Sequence, residues 1–134
     1  MSGDESLETV LEQSNYVCAI LPSTPETRGL MSSERFSKFN ADSSLINAGR
    51  GDLVVEDELI QAVDDGQLRG AVLDVMNQEP LPEDSPLWLH PGIILTPHVS
   101  GWHLGDAISN ISTNYRALEE GAPLINLVDR KLGY

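Results

Sequence analysis

Four short apolar runs punctuate this chain, and the segments between them carry helical patterns. The runs are Tyr16 to Leu21 (YVCAIL), Ser44 to Ala48 (SLINA), Ala71 to Val75 (AVLDV) and Ile93 to Thr96 (IILT). Pro22 closes the first, Gly49-Arg50-Gly51 the second and Pro97 the fourth, while a proline-rich loop through Pro80, Pro82, Pro86 and Pro91 follows the third. Runs of this length, stopped by proline or glycine, read as buried strands. Leu7, Val10 and Leu11 predict a short helix before the first strand, and Ser32 to Lys38 a second, with Ser32 or Ser33 as its cap. Glu56 to Asp65 predicts a third helix, with a stripe of Leu59, Ile60 and Val63 and Gly66 as its stop. The last helix is expected from about Leu104 to Glu119, on the stripe Leu104, Ala107, Ile108, Ile111, Tyr115 and Leu118. Strands that are apolar throughout are expected to be buried on both faces. Their alternation with helices implies an α/β chain with a parallel sheet of about four strands and right-handed crossovers.

At 134 residues the chain has room for one modest domain. Its formal net charge is −13, from 21 acidic and 8 basic residues. That balance argues against a nucleic-acid or anionic-membrane partner. An anionic substrate would need a local positive site, because the overall field repels it. The only cysteine, Cys18, excludes an internal disulfide and suggests a reducing, cytoplasmic setting. Within its apolar run, Cys18 is expected to be a small buried hydrophobe. The opening Met1 to Glu12 is acidic and carries no long apolar stretch, so neither a signal peptide nor a membrane anchor is expected.

Ligands of open parallel sheets bind outside the carboxyl ends of the strands. The residues after each run are therefore the candidates, and they gather an arginine, two carboxylates and a histidine at one edge. Arg50 stands between two glycines that let the backbone turn sharply and leave the guanidinium unshielded. An arginine fork grips a carboxylate through two parallel hydrogen bonds. His98 follows Pro97 at a strand end, a fixed place for a group that exchanges protons near neutrality. Glu79, before Pro80, could orient that imidazole. Asp74 lies in an apolar strand, where a carboxylate needs hydrogen bonds from backbone, a ligand or both. His90 and His103 read as structural, and Trp88 and Trp102 as packing or surface-loop residues. No spacing among the histidines, Cys18 and the carboxylates suggests a metal site.

The segments LPSTPETRGLM, INAGRGDLVVEDELIQAV, GAVLDVMNQEPLPEDSPLW and ILTPHVSGW, in this order and spacing, resemble the signature segments of D-2-hydroxyacid dehydrogenases. The resemblance runs from about Ser6 to the end. DRKLGY and NQEPLPEDSPLW look most like the glyoxylate/hydroxypyruvate reductase branch. It implies that residues 1–134 are part of an NAD(P)-binding domain of Rossmann type. In that reading Arg50 binds the substrate carboxylate, His98 donates the proton as hydride arrives from NADH or NADPH, and Glu79 holds and tunes His98. Asp74 would accept a bond from the nicotinamide carboxamide. Pro22 and Thr27 would line the nicotinamide ribose and phosphate side, with Ala48 contributing backbone.

The sequence departs from that family pattern in one respect. It contains no G-x-G-x-x-G turn to cradle a pyrophosphate, no matching acidic residue for the adenosine ribose and no separate substrate domain. The segment through which full-length relatives usually form homodimers is missing as well. One face of the last helix and one sheet edge are then expected to lie open. Two functions remain: a reductase of a small 2-oxo acid, present as a fragment, or a non-catalytic remnant that binds a partner. A phosphoacceptor receiver domain, which size, acidity and Asp74 would suit, needs an acidic pair and a lysine where Pro22-Ser23 and Pro97-His98 stand.

Overall fold

A computed structural model of the chain describes residues 4–101 and 105–132. Helix α1 (Asp4–Gln13) precedes strand β1 (Tyr16–Ala19), and helix α2 (Ser33–Phe36) precedes β2 (Ser44–Asn47). Then follow α3 (Glu56–Asp64), β3 (Gly70–Leu73), β4 (Ile93–Leu95) and α4 (Ala107–Glu120). Single 3-10 turns stand at Gly51–Leu53 and Pro86–Leu89. The four strands form one sheet in the order β1-β2-β3-β4, and every neighbouring pair is parallel. This is the parallel sheet with flanking helices that the strand and helix alternation predicts, and the Rossmann-type arrangement that the resemblance implies. Contacts divide the chain into two compact units, residues 1–100 and 101–134.

In the first unit, registers align Val17, Leu45, Ala71 and Ile93 across the sheet, with Ala19, Asn47, Leu73 and Leu95 one pleat further on. All lie on one face, because side chains alternate along a strand. That face meets Leu11 of α1, Phe36 of α2, and Leu59 and Ala62 of α3 in a single core. The opposite face carries Tyr16, Cys18, Ile46, Val72 and Ile94, and Tyr16, Cys18 and Ile94 are exposed. The expectation of strands buried on both faces is therefore corrected. A sheet that grows in one direction, with crossovers of one hand, carries its connecting segments on one face. Cys18 is corrected for the same reason: its apolar neighbours suggest burial, but the pleat turns it to the open face.

Each strand is also shorter than its apolar run. Ile20, Leu21, Ala48, Asp74, Val75 and Thr96 fall beyond the paired segments, so they belong to the loops that shape the carboxyl edge. The α2 helix is a single turn, and its first amide is taken by the Glu58 carboxylate of α3 rather than by a serine hydroxyl. In α3, Leu59 and Ala62 are buried, and Ile60 and Val63 pack against the core. Asp65 ends the helix and Gly66 follows at φ 69°, the left-handed stop that glycine supplies cheaply. In α1, Leu11 is buried and Leu7 partly so, whereas Val10 faces outward.

In the second unit α4 closes on Gly121 at φ 66°. Asn114 then holds the following segment through a bond in each direction to the Ile125 backbone. No residue of α4 is buried, and its expected stripe is exposed at Ile108, Ile111, Tyr115 and Leu118. Leu104, His103 and Trp102 lie outside the described residues. Among the described residues no helix is long and apolar enough to cross a membrane.

Candidate active site

The loops that follow the four strands meet at the carboxyl edge of the sheet. Backbone close to backbone joins those after β1, β2 and β3. A Cβ built on Gly49 would stand 2.7 Å from the Leu21 carbonyl oxygen, and one on Gly51 only 1.9 Å from that of Met76. Neither glycine has the positive φ of a left-handed turn. The two glycines permit close approach of backbone on both sides of Arg50, an additional reason for glycine at these positions. Arg50 itself is extended, at φ −139° and ψ 143°, and exposed. Its Nη1 donates to the Gly49 carbonyl at 2.8 Å. Among the described residues Arg50 forms no ion pair, so its charge is available to a ligand.

His98 and Glu79 meet directly, Nδ1 to Oε2 at 2.8 Å. The second carboxylate oxygen of Glu79 accepts the Met76 amide at 3.0 Å. The bond from His98, with that from Met76, holds the Glu79 carboxyl below the usual carboxylate range against some opposing burial. A cavity of about 320 Å³ is lined by Arg50 together with Ser23, Asp52, Asn77, Glu79 and His98. The arginine, the glutamate and the histidine singled out from sequence thus share one wall-to-wall space. A second, mostly apolar cavity of about 690 Å³, with Leu81, Trp88 and Leu95 in its lining, adjoins the same His98–Glu79 pair.

His98 sits at φ 53°, in the left-handed region that a side chain rarely adopts. Asp74 explains how that conformation persists. Thr96 Oγ1 donates to Asp74 Oδ1, the Val99 amide donates to the same oxygen at 3.0 Å, and the Ser100 amide donates to Oδ2 at 2.8 Å. One buried carboxylate therefore grips the loop on both sides of the histidine. Burial pushes the Asp74 carboxyl up, but bonds from Ser100, Thr96 and Val99 outweigh it and hold the group far below its ordinary range.

Asp74, Pro22, Thr27 and Ala48 do not line the Arg50–His98 cavity. The Thr27 hydroxyl is spent locally, donating to the Pro22 carbonyl at 2.6 Å and accepting the Thr24 amide at 2.8 Å. It fixes the shape of the loop after β1. The Ala48 amide continues the sheet ladder to Ala19 at 3.0 Å. His90 is structural: Nδ1 accepts the Gly92 amide at 3.1 Å, and Nε2 lies 3.2 Å from Asp64. Trp88 is half exposed, with its indole N–H on the Pro82 carbonyl at 2.8 Å. Among the described residues no cluster of histidine, cysteine and carboxylate could hold a metal.

A profile of the D-isomer specific 2-hydroxyacid dehydrogenase NAD binding domain matches residues 2–100, which carry the whole of this edge. The chain belongs to that family. Among solved structures, a D-isomer specific 2-hydroxyacid dehydrogenase from Xanthobacter autotrophicus Py2, in complex with NADPH and MES, is 42% identical with a TM-score of 0.90. That match covers 98% of this chain and 55% of the other. An NADPH-dependent glyoxylate/hydroxypyruvate reductase from Sinorhizobium meliloti, in complex with NADP and sulfate, is 34% identical with a TM-score of 0.89. There the match covers 97% of this chain and 43% of the other. A family member from Klebsiella pneumoniae 342 is 39% identical, with a TM-score of 0.89 over 98% of this chain and 42% of the other. The family chain thus spans about half the length of these relatives.

Five residues of this dehydrogenase-family edge escape a reading by sequence. Ser23 donates to Asp52 Oδ2 at 2.6 Å, and Arg28 reaches the same oxygen at 3.2 Å, closing the β1 and β2 loops together. Asn77 joins the β3 loop to the start of α3 through the Glu56 carboxylate and the Val54 carbonyl. Asn47, inside the run SLINA, reads as a strand residue, yet it is wholly buried and bonded to the Arg50 turn. A polar residue inside an otherwise apolar run is the one signal that could have flagged it.

Proposed function

We propose that this chain supplies the reacting half of a site that reduces a small 2-oxo acid, such as glyoxylate or hydroxypyruvate, with NADH or NADPH. The observation that carries the proposal is the 2.8 Å His98–Glu79 pair on the wall of the cavity that Arg50 also lines. Arg50 is the carboxylate-binding group: an exposed guanidinium with no ion-pair partner among the described residues, in a chain of net charge −13. A bidentate grip on the acid fixes the carbonyl relative to the imidazole. Glu79 takes Nδ1 of His98, which leaves Nε2 for the carbonyl oxygen. The doubly protonated ring gives its Nε2 proton to that oxygen as it gains charge and is left neutral, with the Nδ1 proton retained and still hydrogen-bonded to Glu79.

The strand-end residues fit the nicotinamide end of such a cofactor. Pro22 and Ala48 are half-buried at neighbouring strand ends, and Asp74, bonded by Thr96, Val99 and Ser100, stands just beyond the next strand. No segment of the sequence matches a pyrophosphate-binding glycine turn. When bound, NAD(P)H supplies the hydride. Arg50, Glu79 and His98 are the catalytic residues of this proposal; Pro22, Thr27, Ala48, Arg50, Asp74 and His98 border the cofactor. A cytoplasmic setting belongs to it too, in keeping with an exposed free thiol at Cys18.

The test is a titration with NADH and NADPH, followed by turnover of glyoxylate and hydroxypyruvate. His98→Asn should lower turnover by about a hundredfold or more. Arg50→Gln should chiefly raise KM for the acid. A folded chain that neither binds the cofactor nor turns over an acid overturns the proposal, and leaves the non-catalytic binding module.

A further inference from the structure

Arg50 is an exposed side chain on a turn that is itself rigidly held, and one residue does most of the holding. Asn47, the last residue of β2, is 0% exposed. Its Oδ1 accepts the Gly49 amide at 3.2 Å, and its Nδ2 donates to the Arg50 carbonyl at 2.9 Å. The carboxamide therefore spans the turn, binding the peptide group before Gly49 and the one after Arg50. The peptide group between them is met by the Arg50 guanidinium itself, on the Gly49 carbonyl. The Asn47 main-chain carbonyl accepts the Asp74 amide at 2.9 Å, so the same residue ties this turn to the carboxylate that grips the His98 loop. Gly49 and Gly51 are wedged against the Leu21 and Met76 backbones. With those neighbours fixed, the direction in which Arg50 leaves the backbone is decided by what Asn47 holds.

The chemistry of the position is narrow. It needs one acceptor and one donor, three bonds from Cα, with no charge, because the site is buried. Aspartate would set a second acceptor against the Arg50 carbonyl, serine would not span the turn, and alanine would strand a buried amide. We propose that Asn47 is a positioning residue for Arg50, fixing the turn from which the guanidinium reaches the cavity. The proposal rests on the reading of Arg50 as the anion-binding group.

The experiment uses the full chain and two independent readouts. The first is the 15N-resolved spectrum of the free protein: the Arg50 Nε–H resonance, and hydrogen exchange of the Gly49 amide. In the unsubstituted chain the Gly49 amide should be protected. Exchange as fast as that of an open loop would overturn the proposal without any variant. In Asn47→Asp the Arg50 Nε–H should shift while the amides of β3 stay protected. As pH falls through the titration of the new carboxyl, the shift should reverse, because the protonated acid again donates to the Arg50 carbonyl.

The second readout is binding of oxamate, a non-reacting analogue of a 2-oxo acid. Asn47→Asp and Asn47→Ser should each raise its Kd about tenfold. In an Arg50→Gln background the same substitutions should change nothing further. Equal weakening with and without Arg50, or an unchanged Kd together with an unchanged Arg50 resonance, overturns the proposal. Should the unsubstituted chain bind no oxamate, the anion-binding reading of Arg50 fails, and the positioning role is decided by the Nε–H shift and its reversal.

Discussion

Helices α3 and α4 carry the same kind of amphipathic pattern and meet opposite fates. In α3, Leu59 and Ala62 are sealed in the core between the sheet and α2. In α4, Ile108, Ile111, Tyr115 and Leu118 repeat at similar intervals and are 79%, 68%, 62% and 69% exposed. Both helices end cleanly on a left-handed glycine, Gly66 and Gly121. Local sequence therefore sets where a helix starts, stops and turns its apolar side. What that side meets is settled by the topology around it. The crossover between β2 and β3 presses α3 onto the sheet, and α4 is no crossover at all.

The largest expected effect is on the buried helix. Leu59→Ala should lower the stability of the chain by about 3 kcal/mol, read from urea unfolding. A loss under about 1 kcal/mol would mean that α3 is not sealed, and the contrast would collapse. Next comes the grip on the His98 loop. Asp74→Asn puts an amide nitrogen against backbone donors and should cost about 2 kcal/mol. The same variant should loosen residues 96–100, seen as faster amide exchange at Val99 and Ser100.

Acid should act on the core unit in a specific direction. Asp74 and Glu79 both have carboxyls held below their ordinary values, so each stabilises the fold fully above its unfolded pKa of roughly 4. That stability is lost as pH falls from there toward the folded values. Urea midpoints at pH 7, 5 and 3.5 should therefore drop at the lowest pH. An Asp74→Asn, Glu79→Gln double variant should start lower and show a flatter profile. A profile as steep as that of the unsubstituted chain would place the acid sensitivity elsewhere. The smallest effect belongs to the exposed helix. Ile111→Ala should change stability by less than about 0.5 kcal/mol, close to the surface norm. A cost resembling that of Leu59→Ala would show that the α4 stripe is covered in solution, and would sharpen the comparison into a search for what covers it.

The site was legible to the extent that it depends on where strands stop. Arg50, Glu79 and His98 stand after successive apolar runs, and parallel strands deliver such residues to a common edge. Asp74 was legible as a carboxylate in need of partners. The identity of those partners was not, because Thr96, Val99 and Ser100 carry no mark of being donors to a residue more than twenty positions away. Asn47 was hidden by its neighbours, and Cys18 was misplaced by them. In both cases an apolar window averages over the pleat, while burial alternates residue by residue.

From the chain alone came the order of helices and strands, the parallel sheet, the edge where polar groups gather and the glycine stop of α3. These are local properties, encoded in periodicity and in the conformational limits of proline and glycine. The tertiary structure alone decided which face of the sheet lies open, that Gly49 and Gly51 serve close contact, and that Asn47 and Asp74 brace the Arg50 turn and the His98 loop. Apart from the short reach of Asn47 to Gly49 and Arg50, these pairings join residues distant in the chain through hydrogen bonds and close backbone contact, and no local pattern records which distant partner will arrive.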